Sequence, residues 1–389
     1  MARNILHLRI DAFPVAVERL KNPWLKSRPV AICPRHSPRS IVFSASPEAR
    51  SEGVREGLPL TEALKRCGNL VVLSPDEMLY RRAADAVARV LERYSPLVEP
   101  GFWGRFYADM TGTGRLFGRT RDSAFCVKHA VRDSVRLDGT LGVGSNKLVS
   151  GVAAKVVAPH GDLCAVPAGS EASFLAPLRV RMLPSVRSKT ERELLAEFNI
   201  RFVRQLSAIP LVQLALVFGK LGPVLHRQAL GIDETPVLPP GTKPFVLEEK
   251  TMEEDTNDDG VLSGMLYGMV ERACRAMRSR NVLPKTVWFH LRYSDGMDVT
   301  RCLRLDHPTA TDPFLFRVLE PFFLKTNARR QRVRYLSVTF TDLFVPPAQL
   351  SLFESSDGRK EEALVSAVDA IRSKHGDGAV RFGRMEGDR

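Results

Sequence analysis

The stretch Ile5-Leu6-His7-Leu8-Arg9-Ile10-Asp11-Ala12-Phe13-Pro14-Val15-Ala16-Val17-Glu18 governs the reading of the chain around it. From Ile5 to Asp11 apolar and polar residues alternate, the period-two pattern of a strand with one buried face. Beyond Asp11 the pattern turns to helix. Further strands are expected over 29–33, 40–44, 70–73, 105–110 and 139–144, and helices over 47–50, 60–66 and 124–135. Over 78–94 apolar residues recur at helical spacing (Ala83, Ala86, Val87, Val90, Leu91), which gives a long amphipathic helix. Strands interleaved with helices imply a mixed α/β core.

Short helices with tight turns follow over 171–231. The proline-dense run Thr235-Pro236-Val237-Leu238-Pro239-Pro240-Gly241-Thr242-Lys243-Pro244 reads as an extended, semi-rigid tether at a domain boundary. Beyond it a helix over 258–277 and alternating strands over 286–292 and 333–340 make a second α/β domain. After Pro346-Pro347 comes a polar tail with a short peptide, a final helix and a strand over 378–383.

The 389 residues are 44% hydrophobic and 26% charged, an ordinary globular balance. A net charge of +13 favours a polyanionic partner, since neutralising phosphates releases counterions. No apolar run approaches the roughly 20 residues that span a bilayer, so no membrane association is expected. The first residues read as a strand rather than a signal peptide. The six cysteines (Cys33, Cys67, Cys126, Cys164, Cys274, Cys302) lie far apart and form no CxxC, which suits reduced thiols in a cytoplasm.

Several blocks, in their order, resemble the Y-family (UmuC/DinB-like) DNA polymerases. His7 to Glu18 resembles the first palm motif, a strand ending in Asp-x-Asp before a helix. Ser44-Ala45-Ser46-Pro47-Glu48-Ala49-Arg50, with Gly53-Val54 and Gly57-Leu58-Pro59 after it, resembles the fingers motif. Tyr94-Ser95-Pro96 through Arg105-Phe106-Tyr107-Ala108-Asp109 resembles the second palm motif, and Val143 to Leu148 with Ala158-Pro159-His160-Gly161 a third. The resemblance implies an α+β multidomain right hand: a palm with a ferredoxin-like sheet (1–17 and 75–166), fingers (18–74) and a helical thumb with helix-hairpin-helix turns (167–233). A linker (234–244), an α/β little finger (245–345) and a C-terminal tail (346–389) complete it.

The family's chemistry uses two Mg²⁺ ions held by Asp and Glu oxygens. The positions matching its ligands carry Arg9, Gly104 and Arg105, and a guanidinium has no lone pair for a metal. Pro47, Pro14 and Ala158 stand where the family contacts the nucleotide, leaving Ser44 and Arg50 as a residual nucleotide pocket. The resemblance therefore points to the ImuB-type branch. That implies no enzyme, no catalytic residues and no Mg²⁺ cofactor, but a bacterial, nucleoid-associated factor of SOS mutagenesis and translesion repair. Its implied partners are DNA, the sliding clamp, a RecA-like accessory protein and an error-prone C-family polymerase. An active polymerase with unconventional ligands, such as Asp11 and Asp109, and a scaffold independent of DNA are the competing readings. Arg9 and Arg105 either pair with Asp11 and Asp109 or form a cationic cleft for phosphate.

Other expected DNA contacts are Gly219, Lys220 and Gly222 in the thumb, and Arg329, Arg330, Arg332 and Arg334 in the little finger, where alternation puts Arg332 and Arg334 on one face. In the thumb's first hairpin, Ser185 and Arg187 replace the family's glycines. Gln349-Leu350-Ser351-Leu352-Phe353 matches the bacterial clamp-binding pentapeptide: Leu352 and Phe353 as apolar anchors, Leu350 packing nearby and Gln349 fixing the register.

Overall fold

The computed structural model describes residues 3–33, 40–101, 103–118, 120–158, 162–239, 245–346, 356–376 and 379–380. Up to the prolines the chain runs through β1 (Ile5–Arg9), α1 (Phe13–Lys21), β2 (Val30–Ile32), β3 (Ser44–Ala45), α2 (Pro47–Ser51), α3 (Leu60–Arg66), β4 (Val71–Leu73) and α4 (Glu77–Leu91). It continues through β5 (Val98–Pro100), β6 (Arg105–Asp109), α5 (Gly114–Phe117), α6 (Thr120–Val135), β7 (Thr140–Gly144), α7 (Lys147–Val157) and β8 (Leu163–Ala165). Helices α8 (Glu171–Leu175), α9 (Ser188–Phe198), α10 (Val203–Ser207), α11 (Leu211–Phe218) and α12 (Leu221–Ala229) follow.

A five-stranded sheet of order β5-β6-β1-β7-β8 places β1 at its centre, antiparallel to both neighbours. The alternation of β1 sends Leu6 and Leu8 into a core with Val87 and Leu91 of α4 and Val127 and Val131 of α6. Asp76 caps α4 by accepting the Leu79 N–H, and Asn146 caps α7 through the Val149 N–H. A second sheet, β3-β2-β4, has its own small core around Val42, Ala49 and Ala63. The strand expected over 40–44 shrinks to Ser44–Ala45, because Val42 donates its N–H to Leu58 and Ile41 bridges Pro59.

The helices α8 to α12 share a third core with α7, built on Leu175, Leu194, Leu214 and Leu225. Contacts divide the chain into two units, Met1–Pro240 and Gly241–Arg389. The start of the proline-rich run is held by the first unit: Val237 is buried, Leu238 donates its N–H to Glu99, and Arg3 donates to the Thr235 carbonyl.

The second unit contains β9 (Val246–Thr256), α13 (Asp259–Ser279), β10 (Thr286–Tyr293), β11 (Asp298–Arg304), α14 (Asp312–Thr326), β12 (Val333–Thr341) and α15 (Ser356–His375). Its antiparallel sheet has the order β11-β10-β12-β9, and α13 and α14 pack on one face around Phe289, Phe323 and Phe340. Helix α15 is no loose appendage. Val365 and Val368 are buried, Arg278 on α13 bonds Asp369, and Arg372, 4% exposed, lies 2.6 Å from Glu271. No helix among the described residues is long and apolar enough to cross a membrane.

Candidate functional site

Strand alternation puts His7 and Arg9 of β1 on the sheet face opposite Leu6 and Leu8, and the register sets His7 against Tyr107 and Arg9 against Arg105. The His7 and Tyr107 rings lie 4.2 Å apart. On the other side of β1, His7 faces Gly142 of β7. A Cβ at Gly142 would lie 2.0 Å from the Ser150 carbonyl and 2.5 Å from the Ala154 nitrogen, so glycine is what lets α7 press onto this face. Helix α7 brings Lys147 and Lys155 to it, and Lys147 pairs with Glu99 at 2.7 Å.

The electrostatics of the face are cationic. Asp11 is shared by two guanidiniums, Arg9 at 3.3 Å and Arg50 at 2.5 Å, and Arg50 also reaches Glu56 at 2.9 Å. The expected Arg9–Asp11 pair therefore forms. The expected Arg105–Asp109 pair does not: Asp109 accepts the Thr111 N–H at 2.9 Å, and Arg105 makes no ion pair among the described residues. Burial, with Arg105 and Arg9 nearby, lowers His7 to about 3, so the imidazole is neutral at physiological pH. Burial and then Arg9, Arg105 and Arg181 push the Lys155 ammonium down.

Gly104 has a backbone reason to be glycine. Its φ is +77°, and a Cβ there would fall 2.4 Å from the Phe13 Cβ and 2.8 Å from the Ile10 carbonyl. Pro14 and Pro47 sit in the first turns of α1 and α2, where a missing N–H costs nothing, and Ala158 ends α7. Ser44 is buried, and its hydroxyl finds no partner among the described residues.

In the helical region Ser185 and Arg187 lie just before α9, and Gly219 and Lys220 form the turn from α11 to α12. Gly219 has φ +54°, while a Cβ on Gly222 would meet the Leu214 carbonyl at 2.3 Å, so Gly222 serves helix packing. In the second unit Arg329 pairs with Asp295 at 3.0 Å and Arg334 with Asp255 at 2.9 Å. Arg330 and Arg332 stand exposed without an ion pair among the described residues. Arg332 lies just before β12, and Arg334, on β12, pairs with Asp255 of the neighbouring strand β9. Gln349, Leu350, Leu352 and Phe353 lie outside the described residues, as does most of 378–383. Reasoning from the sequence missed Lys155 and His7; the Gly142/Gly144 alternation, which marks a helix seated on the strand, was the signal available.

Among the described residues, no three of His, Cys, Asp and Glu gather as a metal site. Asp11 is engaged by Arg9 and Arg50, and Glu99 by Lys147. This donor set, as arranged, does not fit a divalent ion, and no step is derived through one.

Residues 8–155 match the impB/mucB/samB family and residues 245–352 match the impB/mucB/samB family C-terminal domain. A "DNA polymerase IV" of Dehalococcoides mccartyi strain 195 is 32% identical over 98% of this chain and 97% of its own length. "DNA polymerase IV 1" of Bacillus subtilis strain 168 is 28% identical over 98% and 93%. Among solved structures, the Y-family DNA polymerase chimera Dbh-Dpo4(243-245)-Dbh superposes with a TM-score of 0.74 at 20% identity. It matches 88% of this chain and 100% of that one, and supports the α+β multidomain hand as a fold.

These likenesses correct two expectations. A chain without enzymatic activity was expected from Arg9, Gly104 and Arg105, yet the relatives that align end to end carry the name of a polymerase and point to an enzyme. A lost Mg²⁺ requirement was expected on the same ground, yet those relatives belong to a class that depends on divalent ions, and three substituted positions do not show its loss. What misled was treating the positions as ligands only: Gly104 is required by the close approach of Phe13, whatever its role in chemistry.

Proposed function

The chain belongs to the impB/mucB/samB family of Y-family DNA polymerases, and from that premise we propose that it is a DNA-directed DNA polymerase of translesion repair, tethered to the sliding clamp. The observation that carries the reading is the 32% identity, over nearly the whole of both chains, with a protein named DNA polymerase IV. The net charge of +13 suits a protein that tracks a polyanion. The cations of the β1–β6 face and the exposed Arg330 and Arg332 are available for phosphates. The pentapeptide at 349–353 supports the clamp as the partner that holds the enzyme on its template. The reading gives no described residue the role of metal ligand.

Primer extension by the purified chain, on intact and abasic templates with Mg²⁺ or Mn²⁺, tests it. Template-directed incorporation is expected. No incorporation under either metal, beside a relative that extends the same primer, would overturn the reading.

A further inference from the structure

Helix α11, LVQLALVF, carries no charged residue, and Gln213 is its one strongly polar side chain. Its inner face is built on Leu214, which joins Leu206 of α10 and Leu225 of α12 in the third core. At about 3.6 residues per turn, Val212 and Leu216 stand on the opposite side, with Val217 beside them. These three are 70%, 81% and 51% exposed. A surface helix turns polar residues to water, and a helix apolar all round is ordinarily a buried one. α11 thus has the composition of a buried helix and an uncovered outer face. Phe198 of α9, its ring 6.0 Å from that of Phe218, extends the apolar surface past the end of α11.

We propose that the outer face of α11 is a docking surface for an acidic amphipathic helix of another protein. Val212 and Leu216, one turn apart, form a ridge that fits the groove between the side chains of a second helix. α11 is about 12 Å long, so roughly two turns of the partner cover it.

The acidic character of the partner follows from charge. Between Glu197 and Asp233 the chain has no carboxylate side chain, while Arg201, Arg204, Lys220 and Arg227 all lie in that interval. Arg227 pairs with Glu234, but Arg201, Arg204 and Lys220 are exposed without an ion pair among the described residues. α10 and α11 both pack on α12, so these cations share one module with the apolar ridge. Carboxylates flanking an apolar stripe meet both features at once. Duplex DNA is the poorer fit, because its phosphates would find no donor on Val212, Leu216 or Val217. Docking here is independent of whether the chain extends primers.

The probe is a synthetic helical peptide of leucine and glutamate, with leucine at i, i+3, i+4 and i+7, titrated with the full chain by fluorescence anisotropy. Binding that weakens as salt rises is expected. Val212→Ser/Leu216→Ser should weaken it about tenfold or more. The melting temperature should hold, since both side chains are exposed. Leu216→Glu, which sets a like charge against the peptide, should weaken binding as a second, separate variant. No binding by the native chain, or undiminished binding by both variants, would overturn the proposal. So would equal affinity for a peptide with lysine in place of glutamate, or for one whose leucines are spread round the helix. The double variant should bind primed DNA as the native chain does, and a comparable loss there would assign the face to nucleic acid instead. A native chain that sediments as a dimer, beside a monomeric double variant, would show that a second copy covers α11 and would also overturn the proposal.

Discussion

Gly104 concentrates two demands in one residue. Its left-handed φ disfavours any side chain, and Phe13 and the Ile10 carbonyl occupy the place of a Cβ. The Ile10 N–H donates to the Gly104 carbonyl at 2.7 Å, so this contact fastens the end of β1 to the start of β6. Gly104→Ala is expected to destabilise the first unit by about 2–4 kcal/mol, the sum of backbone strain and overpacking. A shift of the urea midpoint at constant m value would show it. His7 sets the second expectation at this scale. Its pKa is depressed to about 3 in the folded protein, against 6.5 as the ordinary value, so the unfolded chain binds the extra proton between those values. Stability therefore falls as pH drops from about 6.5 toward 3, and is unaffected by this group above 6.5. His7→Gln should flatten the part of the urea-midpoint profile that lies in this window, and an unchanged profile would show that other groups carry it.

At the scale of elements, what was legible followed from periodicity. α4 and β10 were readable because apolar residues recur along one buried face, and β1 because apolar and polar residues alternate along it although the fold buries nearly all of it. β9 was not readable: VLEEKTMEEDT lacks clean alternation, and its acids find partners only in the fold. Glu248 meets Arg272, Glu249 accepts the Tyr335 hydroxyl, and Asp255 meets Arg334. The candidate site was half legible for the same reason. Arg9 and Arg105 stood out against the motif, whereas Lys155 joins them only because α7 is seated on Gly142. For α15 the helix itself was expected in the tail, but its anchoring was not legible, because it comes from Arg278–Asp369 and the buried Glu271–Arg372 contact. Removing one partner leaves a buried charge, so Arg372→Ala is expected to cost about 3–5 kcal/mol. The paired change Glu271→Gln/Arg372→Met should recover most of that loss. Hydrogen exchange along α15 reads both, and equal exchange in the native chain and Arg372→Ala would refute the anchoring role.

For the molecule as a whole, the proposed function rests on two separate means of attachment, the surplus of positive charge and the pentapeptide. Counterion release acts on any stretch of nucleic acid and weakens steeply with salt. A peptide in an apolar groove relies on Leu352 and Phe353, and tolerates salt because its anchors are uncharged. Its flanking elements both belong to the second unit: β12 on one side, and α15, fixed to α13, on the other. Gln349→Ala/Leu352→Ala/Phe353→Ala should abolish capture by the sliding clamp at both low and high salt. Affinity for primed DNA, its salt slope and the melting temperature should stay as they are. Undiminished clamp capture by the triple variant would show that another surface makes the contact, and a lowered melting temperature would show that the peptide packs on its own domain.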